Sequence, residues 1–189
     1  MFNSIYIDLD ETLAATVDAV LAFHNKENPY LDKSNWGKYD LHETVNMEWK
    51  TMWKTLPAEF WANIPKFPWA DVLVYTAKDL VGDDNVYFLT APVRSEGCYY
   101  GKQMWVEKNY PDMVRKTIMT SAKYACVQPD GLLVDDSEKN GKELEEAGKK
   151  NNFYLFPNHN NIKAHLVESM HKTPTIVEFM LRNFVYELH

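Results

Sequence analysis

Acidic side chains directly follow the first apolar stretch of the chain. In IYIDLDETLAA, which begins at Ile5, the acids are Asp8, Asp10 and Glu11. A single aspartate in such a place is typical of a turn or a helix start, because its carboxylate accepts hydrogen bonds from nearby backbone N–H groups. Two carboxylates mounted at the end of a buried strand can instead attack an electrophile and transfer a proton. This stretch alone leaves both interpretations open.

The rest of the sequence predicts the sheet that would carry these acids. Five short runs rich in β-branched or aromatic residues predict strands at residues 4–10, 85–91, 117–122, 131–137 and 152–158. Several of them are apolar nearly throughout, which is typical of strands covered on both faces. Helical patterns occur between or after them at residues 101–110, 137–150 and 173–188. The alternation predicts an α/β fold with a doubly wound, Rossmann-like parallel sheet.

Residues 25–69 interrupt this alternation. They contain no convincing strand, but they carry five of the six tryptophans of the chain. We interpret them as a small helical cap inserted after the first strand and helix, with the α/β core formed by residues 1–24 and 70–189. Most of the aromatic rings are expected to pack the core of the insertion itself. Because so compact a segment has trouble hiding them all, we expect some to face a cleft.

Ligands of a doubly wound sheet bind beyond the carboxyl ends of its strands. The predicted strand ends bring carboxylates, one hydroxyl and one ammonium group to that edge: Asp8, Asp10, Thr90, Lys123, Asp135 and Asp136. Each residue alone has an ordinary structural explanation, as a turn former, a strand residue or a solvated lysine. Their occurrence together at one edge favours a functional site.

The chemistry that this set favours is phosphoryl transfer. Clustered carboxylates repel one another, and a divalent cation such as Mg²⁺ offsets that cost. One carboxylate can then attack phosphorus and form an aspartyl-phosphate, while a hydroxyl and a lysine hold the other phosphoryl oxygens. A second carboxylate two residues further along the chain can serve as general acid and then as general base.

Four motifs carry a resemblance to the haloacid-dehalogenase-like phosphatases. DLDET is similar to their DxDxT motif, and FLTAP, a lysine after the third strand, and LLVDD follow in the same order. Within that superfamily, the chain resembles the 5′(3′)-deoxyribonucleotidases over residues 4–160. The stretches that carry this closer resemblance are NWGKYDL, EFWANIPKFPWADVL and FLTAPVRSEGCYYGKQMWVEKNYPDMVRKTIMTSAKYACVQPDGLLVDD.

The resemblance implies roles for the acidic residues. Asp8 would be the nucleophile and a Mg²⁺ ligand. Asp10 would be the general acid and base, with its backbone carbonyl on the metal. Asp136 would complete the metal site, with Asp135 more favoured as a support behind the ligands. His159 and His165 are expected at the surface, because Mg²⁺ prefers oxygen ligands.

The resemblance also implies phosphate-binding and substrate-binding residues. Thr90 and Lys123 would bind phosphate. Lys102 is a rival for the lysine role, although a position on the helix surface is the stronger expectation for it. Arg94 could reach the phosphate or the sugar, or could be a solvated loop arginine. In the cap, the candidates to stack on a base or close over a sugar are Trp36, Tyr39, Leu41 and Trp61.

Two residues depart from the pattern of the resembled family. Its members commonly carry glycine where Glu11 stands and a hydroxyl residue where Ala91 stands. Ala91 lacks one phosphate donor, although its backbone N–H can still serve. Glu11 adds negative charge near the phosphate, unless it points away. These departures affect the expected substrate preference and rate more than the expected type of reaction.

Composition narrows the possible partners. The net charge of −7 and the absence of a basic stripe argue against stable binding to polymeric nucleic acid. The two cysteines have no metal-binding spacing, which favours a reducing compartment and predicts a cytoplasmic protein. No apolar run reaches the length of a membrane span. A homodimer is compatible with the sequence.

The expected activity is therefore Mg²⁺-dependent hydrolysis of nucleoside or deoxynucleoside monophosphates. One alternative is a phosphatase of the same fold that acts on a nucleic-acid 3′-phosphate end or on a small phosphorylated metabolite. The other is a phosphate-binding module without catalysis.

Overall fold

The computed structural model describes residues 2–38 and 41–187 and has a five-stranded sheet at its centre. The strands are Ser4–Ile7 (β1), Val86–Thr90 (β2), Thr117–Met119 (β3), Gly131–Asp135 (β4) and Phe153–Leu155 (β5). All neighbouring pairs are parallel, in the order β3-β2-β1-β4-β5. The predicted α/β class and the five predicted strands are confirmed. Each strand is shorter than predicted, because the last residues of each predicted run belong to loops.

The helices flank this sheet. Within the described ranges, the α-helices are Thr16–Phe23 (α1), Leu41–Val45 (α2), Trp49–Lys54 (α3), Ala58–Ala62 (α4), Ala70–Val81 (α5), Cys98–Asn109 (α6), Lys123–Cys126 (α7), Glu138–Glu146 (α8), Val167–Lys172 (α9) and Ile176–Glu187 (α10). Short 3₁₀ helices occur at Pro29–Leu31, Lys33–Asn35, Asp83–Asn85, Pro111–Lys116, Lys150–Asn152 and Ala164–Leu166. None of the helices in these ranges is both long enough and apolar enough to cross a bilayer.

Both faces of the sheet are covered, as a doubly wound sheet requires. Successive side chains of a strand point to opposite faces, so Ile5 and Ile7 enter one hydrophobic cluster while Tyr6 enters another. Helices α5, α6 and α10 contribute buried residues to the first cluster. Helix α8 contributes Leu144 to the second. This two-sided burial leaves the carboxyl edge of the sheet as the place for polar side chains.

The segment predicted as a cap lies between α1 and α5. In its described part it forms α2, α3, α4 and two 3₁₀ helices, and it adds no strand to the sheet. Helix α4 packs closely on α6: a Cβ added to Gly97 or to Gly101 would lie 2.4 Å from the backbone of Ala58. These glycines therefore permit a helix approach that any larger residue would block. The division of the chain into core and cap remains a prediction.

Candidate active site

Three carboxylates meet at the carboxyl edge of the sheet. Asp8 follows β1 and is 5% exposed, Asp135 ends β4 and is fully buried, and Asp136 comes next. Because β1 and β4 are hydrogen-bonded neighbours, their ends place these residues side by side. One carboxylate oxygen from each of the three lies within 4.8 Å of the others. The predicted clustering of acids from separate strand ends is present.

Lys123, the first residue of α7, lies between two of these acids. Its Nζ is 2.7 Å from Asp8 Oδ1 and 2.7 Å from Asp135 Oδ2. The side chain is almost completely buried, and burial alone would lower the pKa of Lys123. The carboxylates of Asp135 and Asp8 oppose this effect and raise the pKa above its ordinary value. Lys123 therefore supplies a fixed positive charge to the site.

The carboxylate of Asp135 is already fully engaged. Its Oδ2 accepts hydrogen bonds from Lys123 Nζ at 2.7 Å and from Asn140 Nδ2 at 2.8 Å, and its Oδ1 accepts from the backbone N–H of Ser137 at 2.8 Å. Asp135 thus holds Lys123 and the start of the loop after β4. Asp8 and Asp136 remain as the carboxylates with the fewest protein donors among the three.

Asp8 and Asp136 are held with too little positive charge around them. Burial, together with the charges of Asp135 and Asp10 and against the attraction of Lys123, raises the pKa of Asp8 to about 7. Burial, and then the charges of Asp135 and Asp8, raises the pKa of Asp136 well above its ordinary value. A divalent cation with oxygen ligands would relieve this repulsion, so the donor set fits Mg²⁺.

Lys102, on α6, lies beside this cluster and pairs with Asp10. It is 3% exposed, so the expected position on the helix surface is wrong. Its Nζ contacts the carboxylate of Asp10, donates to Thr90 Oγ1 at 2.8 Å and lies 3.3 Å from the backbone carbonyl of Ala91. Counting Asp10, four carboxyl groups lie at this edge beside only two ammonium groups, so acidic groups outnumber basic ones.

Asp10 lies beside the three-carboxylate cluster, and its own carboxylate is outside it. One of its oxygens accepts a hydrogen bond from Thr16 Oγ1 at 2.8 Å, and the other pairs with Lys102. The side chain is 29% exposed and lies on the wall of a cavity. Asp10 is therefore held in one orientation while it remains open to solvent, which suits proton transfer.

Glu11 is part of the fold of this edge. Its φ of +55° is in the left-handed region, where glycine is favoured, and this matches the glycine common in the resembled family. Its Oε1 accepts from the backbone N–H of Val17 at 2.7 Å, at the start of α1, and its Oε2 accepts from Asn158 Nδ2 at 2.8 Å. Burial raises the pKa of Glu11 to about 7 despite these hydrogen bonds. Glu11 therefore serves as the acidic residue at the start of helix α1.

A cavity of about 560 Å³ opens beside the acids. Asp10 and Asp136 lie on one part of its wall, and Trp49, Trp53 and Trp61 lie on another. Trp53 and Trp61 stack on each other, with ring centroids 5.9 Å apart, and both are at least 94% buried. The wall of the cavity therefore combines acidic and aromatic side chains.

Trp53 and Trp61 differ from Trp69 and Trp105 in the hydrogen bonding of the indole N–H. The indole N–H of Trp69 donates to the carbonyl of Thr12 at 2.9 Å, and that of Trp105 donates to the carbonyl of Ile64 at 2.7 Å. The N–H groups of Trp53 and Trp61 are buried and have no hydrogen-bond partner in the described part of the chain. An unpaired buried N–H is costly, so these two donors suit a ligand that carries hydrogen-bond acceptors.

The predicted substrate-binding residues are not all on this cavity. Trp61 and Ala91 line it. Leu41, the first residue of the short helix α2, is 1% exposed and belongs to the hydrophobic core. Its side chain anchors that helix. Trp36 packs against His159 and donates its N–H to the carbonyl of Tyr30, so its ring and donor are both engaged away from the cavity wall. Tyr39 is outside the described residues.

Arg94 is exposed and lies on the wall of a second cavity, of about 980 Å³, together with Lys54 and Ser95. Arg94 is not among the described residues that line the cavity containing Asp10, and its contact with the phosphate or sugar remains a prediction. His165 is exposed as expected. His159 is half-buried, because its ring lies against Tyr30 and Trp36.

Sequence reasoning missed Trp49 and Trp53 as cavity residues. They lie four positions apart on α3, a spacing that places side chains on the same face of a helix. That spacing was the available signal. It could not show whether the shared face turns toward the core or toward the cavity.

Comparisons with known proteins give only distant likenesses in fold. No family model matches the sequence, and no curated protein matches it. Among solved structures, the chain is similar to CbbY from Rhodobacter sphaeroides, determined in complex with phosphate. The TM-score is 0.41 and the sequence identity is 14%, over 78% of this chain and 84% of that one. A likeness at this level does not establish a shared family or activity.

Proposed function

We propose that the protein is a Mg²⁺-dependent phosphomonoesterase that hydrolyses nucleoside or deoxynucleoside monophosphates through an aspartyl-phosphate on Asp8. The observation that carries this proposal is the position of Asp8, buried against Lys123 at 2.7 Å and within 4.8 Å of Asp136. A carboxylate fixed beside one ammonium group and one further acid is suited to attack a phosphorus atom whose charge is neutralised at the same edge.

Asp8, Asp136 and the backbone carbonyl of Asp10 would hold the Mg²⁺ ion. When bound, the ion would neutralise the charge of the phosphate oxygens and lower the repulsion between the phosphate and Asp8. The raised pKa values of Asp8 and Asp136 support this assignment, because both carboxylates are short of positive charge.

The chain's own residues divide the reaction into two displacements. In the first, a carboxylate oxygen of Asp8 forms a bond to phosphorus while the bond from phosphorus to the ester oxygen breaks. Asp10 donates its proton to that leaving oxygen. In the second, Asp10 accepts a proton from a water molecule, the water oxygen bonds to phosphorus, and the bond to Asp8 breaks, which releases inorganic phosphate.

Thr90, Lys102 and Lys123 would hold the phosphate oxygens during both displacements. Lys102 pairs with Asp10 and donates to Thr90 before substrate arrives. An arriving phosphate dianion competes with Asp10 for the charge of Lys102. Asp10 is then released from Lys102 and is free to transfer a proton to the leaving oxygen.

The nucleotide part of the proposal is supported by the aromatic wall. The cavity of about 560 Å³ has room for a nucleoside, and Trp49, Trp53 and Trp61 line it with aromatic side chains suited to contact a base. The unpaired N–H groups of Trp53 and Trp61 suit the oxygen and nitrogen acceptors of a base or sugar. A small-molecule substrate also agrees with the net charge of −7, which disfavours a polymeric nucleic acid.

Phosphate release from a panel of nucleoside monophosphates, sugar phosphates and a 3′-phosphorylated oligonucleotide, with and without Mg²⁺, tests this function. We expect release from the nucleotides, and only with Mg²⁺. Release from sugar phosphates alone would contradict the nucleotide assignment. Asp8→Asn should abolish turnover and keep the far-ultraviolet circular dichroism spectrum of the wild type, whereas retained activity would exclude Asp8 as the nucleophile.

A further inference from the structure

A turn that follows β5 connects the two loops that carry the acids. It comprises residues 158–161 and is named here the asparagine turn. Asn158 is 4% exposed and Asn161 is 3% exposed. Fully buried asparagines are uncommon, because each amide must find hydrogen-bond partners inside the protein. Asn158 has a partner in the loop after β1, and Asn161 has one in the loop after β4.

Asn158 fixes the loop after β1. Its Nδ2 donates to Oε2 of Glu11 at 2.8 Å and to the backbone carbonyl of Glu11 at 3.1 Å. Glu11 adopts the left-handed backbone conformation directly after Asp10, so its peptide geometry sets the direction in which the loop leaves Asp10. A non-glycine residue in that conformation persists only when its surroundings hold it there.

Asn161 fixes the loop after β4. Its Nδ2 donates to the backbone carbonyl of Asp136 at 2.9 Å and to that of Phe156 at 2.8 Å. Its Oδ1 accepts from the backbone N–H of Lys163 at 2.9 Å. Asn161 therefore ties the main chain of Asp136 to the end of β5, the strand next to β4.

We propose that Asn158 and Asn161 are positioning residues that set the distance between the Asp8–Asp10 loop and Asp136, and hence the affinity of the site for Mg²⁺. This inference rests on the proposed function, because it assigns Mg²⁺ to these acids. Neither asparagine is itself a ligand. Residues that orient metal ligands through hydrogen bonds commonly change metal affinity by about 10-fold to 100-fold when they are replaced.

The test is the affinity of the purified protein for Mg²⁺ alone, measured by isothermal titration calorimetry without nucleotide. We expect Asn158→Ala and Asn161→Ala each to weaken Mg²⁺ binding by about tenfold or more. In phosphate-release assays, the Mg²⁺ concentration for half-maximal activity should rise by a similar factor, while the KM for nucleotide at saturating Mg²⁺ stays within about twofold of the wild type.

Asn152→Ala is the matched control. Asn152 also donates from its Nδ2 to two backbone carbonyls, of Pro129 at 2.9 Å and Gly131 at 2.6 Å, but it does so at the opposite end of β4. It should lose thermal stability as Asn161→Ala does and keep the Mg²⁺ affinity of the wild type. If Asn161→Ala does not fold, Asn161→Ser, which retains one donor, should show an intermediate loss of affinity.

The outcomes separate this inference from the proposed function. A wild-type protein that hydrolyses nucleotides with Mg²⁺, together with asparagine variants of unchanged Mg²⁺ affinity, would overturn the inference and leave the function standing. An equal loss of Mg²⁺ affinity in Asn152→Ala would also overturn it, because a general loss of stability would then explain the effect. A wild-type protein that neither binds Mg²⁺ nor releases phosphate would overturn both.

Discussion

Lys102 and Asp10 form an ion pair at the cavity although 92 positions separate them in the chain. The same Nζ donates to Thr90 and lies 5.6 Å from the centre of the Trp61 ring. One side chain on α6 therefore touches the proposed general acid, the end of β2 and the aromatic wall. An ammonium group in this position can interact with a bound phosphate and a neighbouring ring together.

Replacing Lys102 should therefore impair catalysis. We expect Lys102→Met to lower kcat by about 10²-fold or more, the usual effect of removing one group that stabilises charge in the transition state. Steady-state kinetics of phosphate release from a nucleotide measure this effect. Lys108→Met is the control, because Lys108 lies on the same helix but contacts Asn63 at the surface. A kcat for Lys102→Met within about twofold of the wild type would show that Lys102 does not act on the phosphate.

The unpaired indole donors predict a difference in stability between tryptophans. Trp61→Phe and Trp69→Phe remove the same atoms from buried sites, but only Trp69 loses a hydrogen bond, and its loss leaves the carbonyl of Thr12 unpaired. We expect Trp69→Phe to lower the free energy of unfolding by about 1–3 kcal/mol more than Trp61→Phe. Guanidinium unfolding of the two variants measures the difference. Equal losses would show that the N–H of Trp61 is paired in solution.

The same donors predict an effect on substrate binding. If Trp53 and Trp61 donate to the nucleoside, Trp53→Phe and Trp61→Phe should each raise the KM for a nucleotide by about fivefold to tenfold, the cost of one lost hydrogen bond. Each variant keeps an aromatic ring, so the effect is limited to the lost N–H. Hydrolysis of p-nitrophenyl phosphate, which has no base or sugar, should change little. A parallel loss of activity on both substrates would assign these tryptophans to folding alone.

The close contact of α4 with α6 predicts that Gly101 positions Trp61. A Cβ at residue 101 would lie 2.4 Å from the carbonyl oxygen of Ala58 and 2.5 Å from Cβ of Trp61. Gly101→Ala should therefore push α4 away and destabilise the protein by about 1–3 kcal/mol. The KM for nucleotide should rise more than the KM for p-nitrophenyl phosphate, since the wall moves. Tyr100→Ala, exposed on the same helix, is the control and should show neither change.

The sheet and its acidic edge could be predicted because both depend on local sequence. Apolar runs marked the five strands, and parallel strands bring their carboxyl ends to one edge whatever the rest of the chain does. Asp8, Asp135, Asp136 and Lys123 meet there for that reason.

The position of Lys102 could not be predicted in the same way. A lysine on a helix is ordinarily solvated. The burial of Lys102 depends on the packing of α6 against α4, which is distant in sequence, and on the hydrogen bond to Thr90 at the end of β2. Leu41 and Trp53 show the same limitation. Both are apolar residues of short helices, and only the packing of the insertion decides that one fills the core and the other lines the cavity.

His159 predicts how stability depends on pH. Its ring lies parallel to that of Tyr30, with centroids 5.8 Å apart, and burial lowers the pKa of His159 below its ordinary value of 6.5. Between the lowered pKa and 6.5, the unfolded chain binds more protons than the folded protein. The contribution of His159 to stability is therefore present above pH 6.5 and lost as the pH falls through this window.

Guanidinium unfolding above and below pH 6.5 should show a smaller loss of stability on acidification in His159→Phe than in the wild type. His165→Phe, altered at an exposed histidine, should behave as the wild type, and an unchanged pH dependence in His159→Phe would contradict the prediction.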